Sequence, residues 1–279
     1  MNPKNFKFSS KDGLALLGRA WIAQTHTPKA IIHLIHGLGE HSGRYDHVGN
    51  ILSKAGYHLV GFDLRGHGLS KGRRGHSPSL SHLMNDIKLL IAETKQHLGS
   101  TLPRFLYGHG FGGNLAIHLG GHKSSDFKGF IVTSPTLSTF RPPSKASISL
   151  ATLIAKFLPG LKINNGMEAD ALSRNKAIVQ AYRNDVYIHH KLSVRLGLDL
   201  LQTGTLALES AQHWQFPLLL MHGSGDRITS WQASQEFAHR AEGPVEFVLW
   251  DGYYHELHND IGSEAVIGKM VQWLNQQVL

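Results

Sequence analysis

The residues of this chain that could do chemistry sit in loops following short apolar runs. Gly108-His109-Gly110-Phe111-Gly112-Gly113 comes after Tyr107. Its small–x–centre–x–small spacing is that of a sharp strand-to-helix turn that exposes the central side chain to a bound ligand. A nucleophile held there needs a base and an acid. Asp226, in Gly223-Ser224-Gly225-Asp226, and His255, in Tyr253-Tyr254-His255-Glu256, follow in that order. In such a set the imidazole takes the nucleophile's proton and returns it to the leaving alcohol, while the carboxylate fixes the imidazole tautomer. Two further loops carry glycines and ionisable groups: His36-Gly37-Leu38-Gly39-Glu40-His41 and Asp63-Leu64-Arg65-Gly66-His67-Gly68. At the centre of the turn, however, stands Gly110, which has no atom able to form an acyl-enzyme.

The elements that must position these loops are legible as apolar runs alternating with amphipathic segments. That alternation implies an α/β fold, with a mainly parallel sheet flanked by helices. Strands are expected at Leu14–Ile22, Ala30–Ile35, His58–Asp63, Arg104–Tyr107, Gly129–Thr133, Phe216–Met221 and Val245–Leu249. Open sheets of this kind place ligands at the carboxyl ends of their strands, where the loops above lie. Leu80, Leu83, Met84, Ile87, Leu90, Ile91 and Leu98 make one helical stripe, and Val266, Met270, Trp273, Leu274 and Val278 another. Between about Ser138 and Gln202 the alternation breaks into helical patterns alone: Ile148–Leu158, Lys176–Tyr182 and His190–Leu201. This reads as a helical cap (138–202) inserted into a core formed by 1–137 and 203–279. The apolar residues of its first helix, Leu150, Leu153, Ile154, Phe157 and Leu158, are expected to face a ligand cavity.

Composition narrows the classes. The 279 residues, 41% of them hydrophobic, suit one large globular domain or a domain with an insertion. Zero cysteines exclude disulfides, thiolate metal sites and a cysteine nucleophile. The segment Met1–Ala23 is broken by Lys4, Lys7, Lys11, Asp12 and Arg19, so neither a signal peptide nor a membrane span is expected, and a cytoplasmic location follows. A formal charge of +8 favours anionic partners, including an acidic lipid surface. The basic residues are dispersed without a base-reading motif, so nucleic acid is not expected as a partner. His255-Glu256-Leu257-His258 lacks the spacing of a zinc-binding His-Glu-x-x-His, and no metal or other cofactor is expected. Gly108-x-Gly110-x-x-Gly113 also satisfies a dinucleotide fingerprint, but the next strand ends near Ser134-Pro135 without the acid that would hold a ribose.

His36-Gly-x-x-Glu40-His41-x-Gly-Arg44-Tyr45, Asp63-x-Arg65-Gly-His67-Gly-x-Ser70, the glycine-flanked turn and Tyr254-His255-Glu256 occur in order along the chain. Together they resemble the monoacylglycerol lipase and lysophospholipase branch of the α/β-hydrolases over nearly the whole length. The resemblance implies an eight-stranded, mostly parallel sheet with a helical lid, and a serine-type carboxylic ester hydrolase. It implies Asp226 and His255 as catalytic acid and base, with serine expected where Gly110 stands. The oxyanion hole would be the N–H groups of Phe111 and, by resemblance, Leu38. Arg44, His109 and Tyr182 would bind the polar leaving group. An apolar lid over a polar base suits a small amphiphilic acyl ester, such as a monoacylglycerol or lysophospholipid, met at a lipid interface. With Gly110 in place the chain is expected to be inactive. Two histories fit: an enzyme disabled by design, favoured by retention of Asp226 and His255, and a natural lipid-binding pseudoenzyme.

Overall fold

The computed structural model describes residues 2–99, 101–121 and 126–278. Residues 1 and 279, the outer bounds of the expected core, lie outside them.

The chain opens with β1 (Lys4–Ser9), β2 (Ala15–Trp21) and β3 (Ala30–Ile35), then α1 (Asp46–Lys54), β4 (Tyr57–Phe62) and α2 (Leu80–Leu98). β5 (Arg104–His109), α3 (Phe111–Gly121) and β6 (Gly129–Thr133) follow. Next come α4 (Lys145–Phe157), β7 (Lys162–Asn164), α5 (Lys176–Asn184), β8 (Lys191–Ser193) and α6 (Val194–Glu209). The chain closes with β9 (Leu218–Gly223), α7 (Trp231–Arg240), β10 (Val245–Trp250) and α8 (Ser263–Gln277).

Among the described residues the main sheet has eight strands in the order β1-β2-β4-β3-β5-β6-β9-β10. β1 and β2 run antiparallel at one edge, and from β4 to β10 the strands are parallel. The central strands β3, β4, β5, β6 and β9 are buried along their whole length, which is why each reads as a mostly apolar run rather than an alternating one. Two apolar layers cover the faces. Leu83, Ile87 and Leu90 of α2 join Leu115 of α3 on one side; Val48 and Leu52 of α1 join Met270 and Leu274 of α8 on the other. The sheet therefore holds the carboxyl ends of β3, β5, β6 and β9 rigidly side by side.

Three expectations need correction. β1 was not expected: in Lys-Asn-Phe-Lys-Phe-Ser only Phe6 and Phe8 carry an apolar signal, as suits an edge strand. The segment between β6 and β9 is not wholly helical, because β7 and β8 pair there as an antiparallel ribbon. The last expected helix also shifts: residues 191–193 are extended, Ser193 caps the helix by accepting from the Leu196 N–H, and α6 continues unbroken through residue 202 to Glu209.

The first helix of that segment departs from expectation in a more telling way. No residue of α4 is buried, and Leu150 and Phe157 are 59% and 78% exposed. Its apolar stripe faces neither the core nor the cavity described below.

Candidate active site

Gly110 sits where β5 hands over to α3, with φ +55°. An L side chain rarely adopts that conformation, and the surrounding chain holds it there: the Gly110 N–H donates to the Thr133 carbonyl at 3.0 Å. A Cβ placed on Gly112 would collide with the carbonyl oxygen of Ile35, so only glycine lets the start of α3 approach β3 this closely. At Gly110 the space is open. A Cβ there would stand 3.3 Å from Nε2 of His255 and 3.8 Å from Cα of Gly37. Gly110 and His255 are thus brought together across 145 residues of chain.

His255 follows β10 and is buried. Its Nδ1–H donates to Oδ2 of Asp226 at 2.7 Å, and its carbonyl accepts from Ser134 Oγ at 2.7 Å. Ser134 is itself held left-handed at φ 44°, a strained conformation for serine beside the site. Burial pulls the His255 imidazole towards neutrality, but the Asp226 carboxylate, helped by Glu256 and Glu40, outweighs it and raises its pKa above the ordinary value.

Asp226 lies in the loop after β9 and does double duty. Oδ1 accepts from the N–H groups of Ile228 (2.7 Å) and Thr229 (3.0 Å), forming the turn. Oδ2 accepts from His255, from Thr229 Oγ1 (2.7 Å) and from Nε2–H of His222 (3.0 Å). Burial alone would raise this carboxyl; the two imidazoles draw it well below the carboxylate range. His222, at the end of β9, accepts from Ser234 Oγ at 2.8 Å, and burial keeps it neutral. His222, Thr229 and Ser134 were not singled out in the sequence. The His222–Asp226 spacing was the available signal.

The β3 loop lies opposite. The Gly37 N–H donates to Glu40 Oε1 at 2.6 Å, and Tyr45 Oη donates to the same oxygen at 2.7 Å. His36 bridges outwards, accepting from the Leu64 N–H at 2.9 Å. These bonds fix the backbone that carries Leu38, and Leu38 and Phe111 both line a cavity of about 440 Å³ together with His255. Backbone N–H groups aimed into such a cavity can hold a developing oxyanion.

The three residues expected to bind a leaving group also converge. His109 and Tyr182 line the cavity, and the Arg44 guanidinium lies 4.9 Å from the centre of the Tyr182 ring. Arg44 is clamped between two carboxylates: Nη1 bonds Glu40 Oε2 at 2.8 Å and also Glu256, while Nη2 bonds Glu256 Oε2 at 2.7 Å. The His109 ring packs 4.8 Å from that of His255, and burial, reinforced by His255, holds its pKa down to about 3. The Tyr182 hydroxyl is buried and without a protein hydrogen-bond partner, while Glu40 and Glu256 add acceptors to the same wall. Apolar lining comes from Phe140, Met167, Leu172, Leu192 and Leu200, all between β6 and β9. Arg65 and His67 stay outside the cavity: Arg65 pairs with Asp86 and Asp12, and His67 packs between His36 and His189.

Residues 26–262 match the Hydrolase_4 family, described as serine aminopeptidase, S33. The chain belongs to this family. Among the relatives, a monoacylglycerol lipase of Mycolicibacterium smegmatis is 30% identical over 96% of this chain and 95% of its own length. An abhydrolase domain-containing protein of Dictyostelium discoideum is 37% identical over 98% of this chain, which spans only 29% of that protein. The crystal structure of the monoacylglycerol lipase of Paleococcus ferrophilus superposes with a TM-score of 0.84 and 29% identity, covering 99% of this chain and 100% of that one. The architecture is therefore the α/β-hydrolase fold, in its monoacylglycerol lipase type. Among the described residues no group of histidine, aspartate or glutamate side chains is arranged to hold a metal ion. No described helix is long and apolar enough to cross a membrane.

Proposed function

We propose that this chain carries the binding site and two-thirds of the catalytic machinery of a serine carboxylic ester hydrolase for single-chain acyl esters, and that Gly110 leaves it without the nucleophile. The observation that carries this reading is the 3.3 Å between a Cβ on Gly110 and Nε2 of His255, at a backbone angle suited to an elbow nucleophile. A serine hydroxyl built from that Cβ lies within reach of the imidazole, which Asp226 orients.

In the complete set, His255 takes the hydroxyl proton as the oxygen attacks the ester carbonyl. The N–H groups of Leu38 and Phe111 hold the oxyanion, and His255 returns the proton to the leaving alcohol. His109 and Tyr182 form the polar end that receives the alcohol, with Arg44 behind them bracing Glu40, Glu256 and the Tyr182 ring, and the apolar lining of the cap receives the acyl chain. Residues 138–202 act as the lid and the rest of the chain as the core. Substrates are monoacylglycerols or lysophospholipids rather than triacylglycerols. α4 supports work at an anionic lipid surface, since exposed Leu150, Leu153 and Phe157 lie among Lys145, Lys156 and Lys162.

The test is Gly110→Ser. Loss of a catalytic serine elsewhere costs about 10⁶ in turnover, roughly 8 kcal/mol of barrier, so a gain of several powers of ten on mono-olein is expected. An inert Gly110→Ser variant, or one faster on triolein than on mono-olein, refutes the reading. Codon 110 in the source gene separates an enzyme disabled by design, which the intact Asp226–His255 pair favours, from a natural lipid-binding relative.

A further inference from the structure

The cavity wall carries two cations that the hydrolase machinery leaves unused, Arg141 and Arg227. Arg141 lies in the segment after β6 and Arg227 in the loop after β9. Between them Thr139 and Thr229 form an antiparallel bridge, with the Phe140 N–H donating to the Ile228 carbonyl and the Ser230 N–H to the Ser138 carbonyl, each at 3.0 Å. Each arginine stands two residues from that bridge and at the same end of it, so neighbouring stretches of backbone deliver both to one part of the wall. Both are exposed, which puts that part at the mouth of the cavity. The Arg227 guanidinium lies 5.1 Å from the centre of the Tyr254 ring. Among the described residues neither guanidinium has an acid or a hydrogen-bond acceptor, and Glu168, a further carboxylate of the lining, pairs with neither. Two like charges placed this way repel one another, and an anion between them reverses the sign of that term.

The far end of the cavity has the opposite sign. Glu40 and Glu256 share one cation, Arg44, and so leave a negative charge over. Glu40 lies in the loop after β3. In the sheet, β5, whose end leads into Gly110, stands between β3 on one side and β6 and β9 on the other. A reacting carbonyl held by Leu38 and Phe111 therefore has an anionic wall on its alcohol side and a cationic mouth beyond its acyl side.

We propose that Arg141 and Arg227 form an anion subsite that selects esters whose acyl part itself ends in a carboxylate, the half-esters of dicarboxylic acids. This deepens the hydrolase reading above and rests on it. The distal carboxylate bridges the two guanidiniums in charge-assisted bonds, and its methylene chain runs along the apolar lining. The uncharged alcohol points at His109 and Tyr182. A phosphate carried on the alcohol meets Glu40 and Glu256 instead, and is disfavoured.

With Gly110 in place no turnover is expected, so binding is read on the unaltered chain. Calorimetry compares monomethyl suberate with dimethyl suberate at pH 8 and low salt. The half-ester should bind at least about tenfold tighter, the scale of one charge-assisted hydrogen bond. Arg141→Gln and Arg227→Gln should each erode that preference and together erase it, with the affinity for the diester unchanged. If Arg227→Gln disturbs diester binding through Tyr254, Arg141→Gln decides alone. Lys88→Gln makes the same charge change on α2, outside the cavity, and should alter neither affinity. Equal affinities for the two esters, or equal losses in Lys88→Gln and Arg141→Gln, overturn the inference. So does a loss in Arg141→Gln that falls on 1-octanoyl lysophosphatidate rather than on the half-ester, because it places the anion on the alcohol side. An active Gly110→Ser enzyme with the same kcat/KM for both suberates removes this inference and leaves the hydrolase reading intact. An inert Gly110→Ser variant removes both.

Discussion

His222 and His255 donate to the same oxygen, Oδ2 of Asp226, from 3.0 and 2.7 Å. One imidazole lines the cavity and the other is fully buried at the end of β9, accepting from Ser234. The carboxylate that orients the base therefore has its own anchor. Removing that anchor by His222→Ala leaves Oδ2 with fewer donors, a more basic carboxylate and a stronger pull on His255. The His255 pKa, read from its ring proton shifts, should rise further above the ordinary value. Stability should drop by about 2 kcal/mol, since a buried hydrogen-bonded ring is lost. A fall in the His255 pKa would contradict this account.

Buried histidines should make the fold sensitive to acid. Burial holds His33 and His109 down to about 3, and His67 and His258 well below the ordinary value. In the unfolded chain each takes a proton near 6.5, so between 6.5 and about 3 the unfolded state binds more protons and stability falls as pH falls. Each such ring should cost about 2 kcal/mol at pH 5 relative to pH 8. His255 has the opposite sign: its raised pKa contributes stability below 6.5 that is lost as pH rises through the folded value. Depressed rings outnumber it, so urea midpoints should shift down steeply between pH 7 and 5. His33→Phe should flatten that slope; an unchanged slope would remove His33 as a contributor.

The two glycines of the elbow should respond in opposite ways. Alanine at Gly110 meets no atom closer than 3.3 Å and only the backbone strain of φ +55°, a cost of about 1 kcal/mol. Alanine at Gly112 meets the backbone of β3, which cannot give way without parting α3 from the sheet. Thermal unfolding should place Gly110→Ala near the parent and Gly112→Ala lower by more than about 3 kcal/mol, if it folds. Equal stabilities would mean that the turn is looser than described.

On α4, Leu153→Ser with Phe157→Ser should leave folding stability within about 0.5 kcal/mol, because neither side chain is buried. Binding to vesicles of phosphatidylglycerol and phosphatidylcholine should weaken at least about tenfold, as two apolar side chains are lost from the contact. Residual binding should fade with added salt. Undiminished sedimentation with vesicles would assign lipid contact to another surface.

The sequence made the core legible because β3, β4, β5, β6 and β9 are buried on both faces and so read as mostly apolar runs. It also made His255 and Asp226 legible, through motif order. What escaped it depends on partners far along the chain. β7 and β8 are three-residue segments with one apolar residue each, and what extends them is their pairing with each other and, for Ser193, with the Gly75 carbonyl. The turn implied a helix after it, but not that α3 begins as early as Phe111, because the helix is buried nearly all round and has no amphipathic period to mark its first turn. Glu256 stood in a quoted motif, yet its pairing with Arg44 spans 212 positions and nothing local announces it.

The β7–β8 ribbon and the residues beside it are stitched to the loops that follow β3 and β4. The His189 N–H donates to the Gly39 carbonyl at 3.0 Å, His189 Nε2 reaches the Gly66 carbonyl at 3.1 Å, and the Ser193 N–H donates to the Gly75 carbonyl at 2.8 Å. Gly39 adjoins Leu38, so the ribbon's margin and the backbone that carries Leu38 are one mechanical piece. Any widening of the cavity along that margin would have to break these three bonds, so the backbone beside Leu38 stays still for as long as they hold.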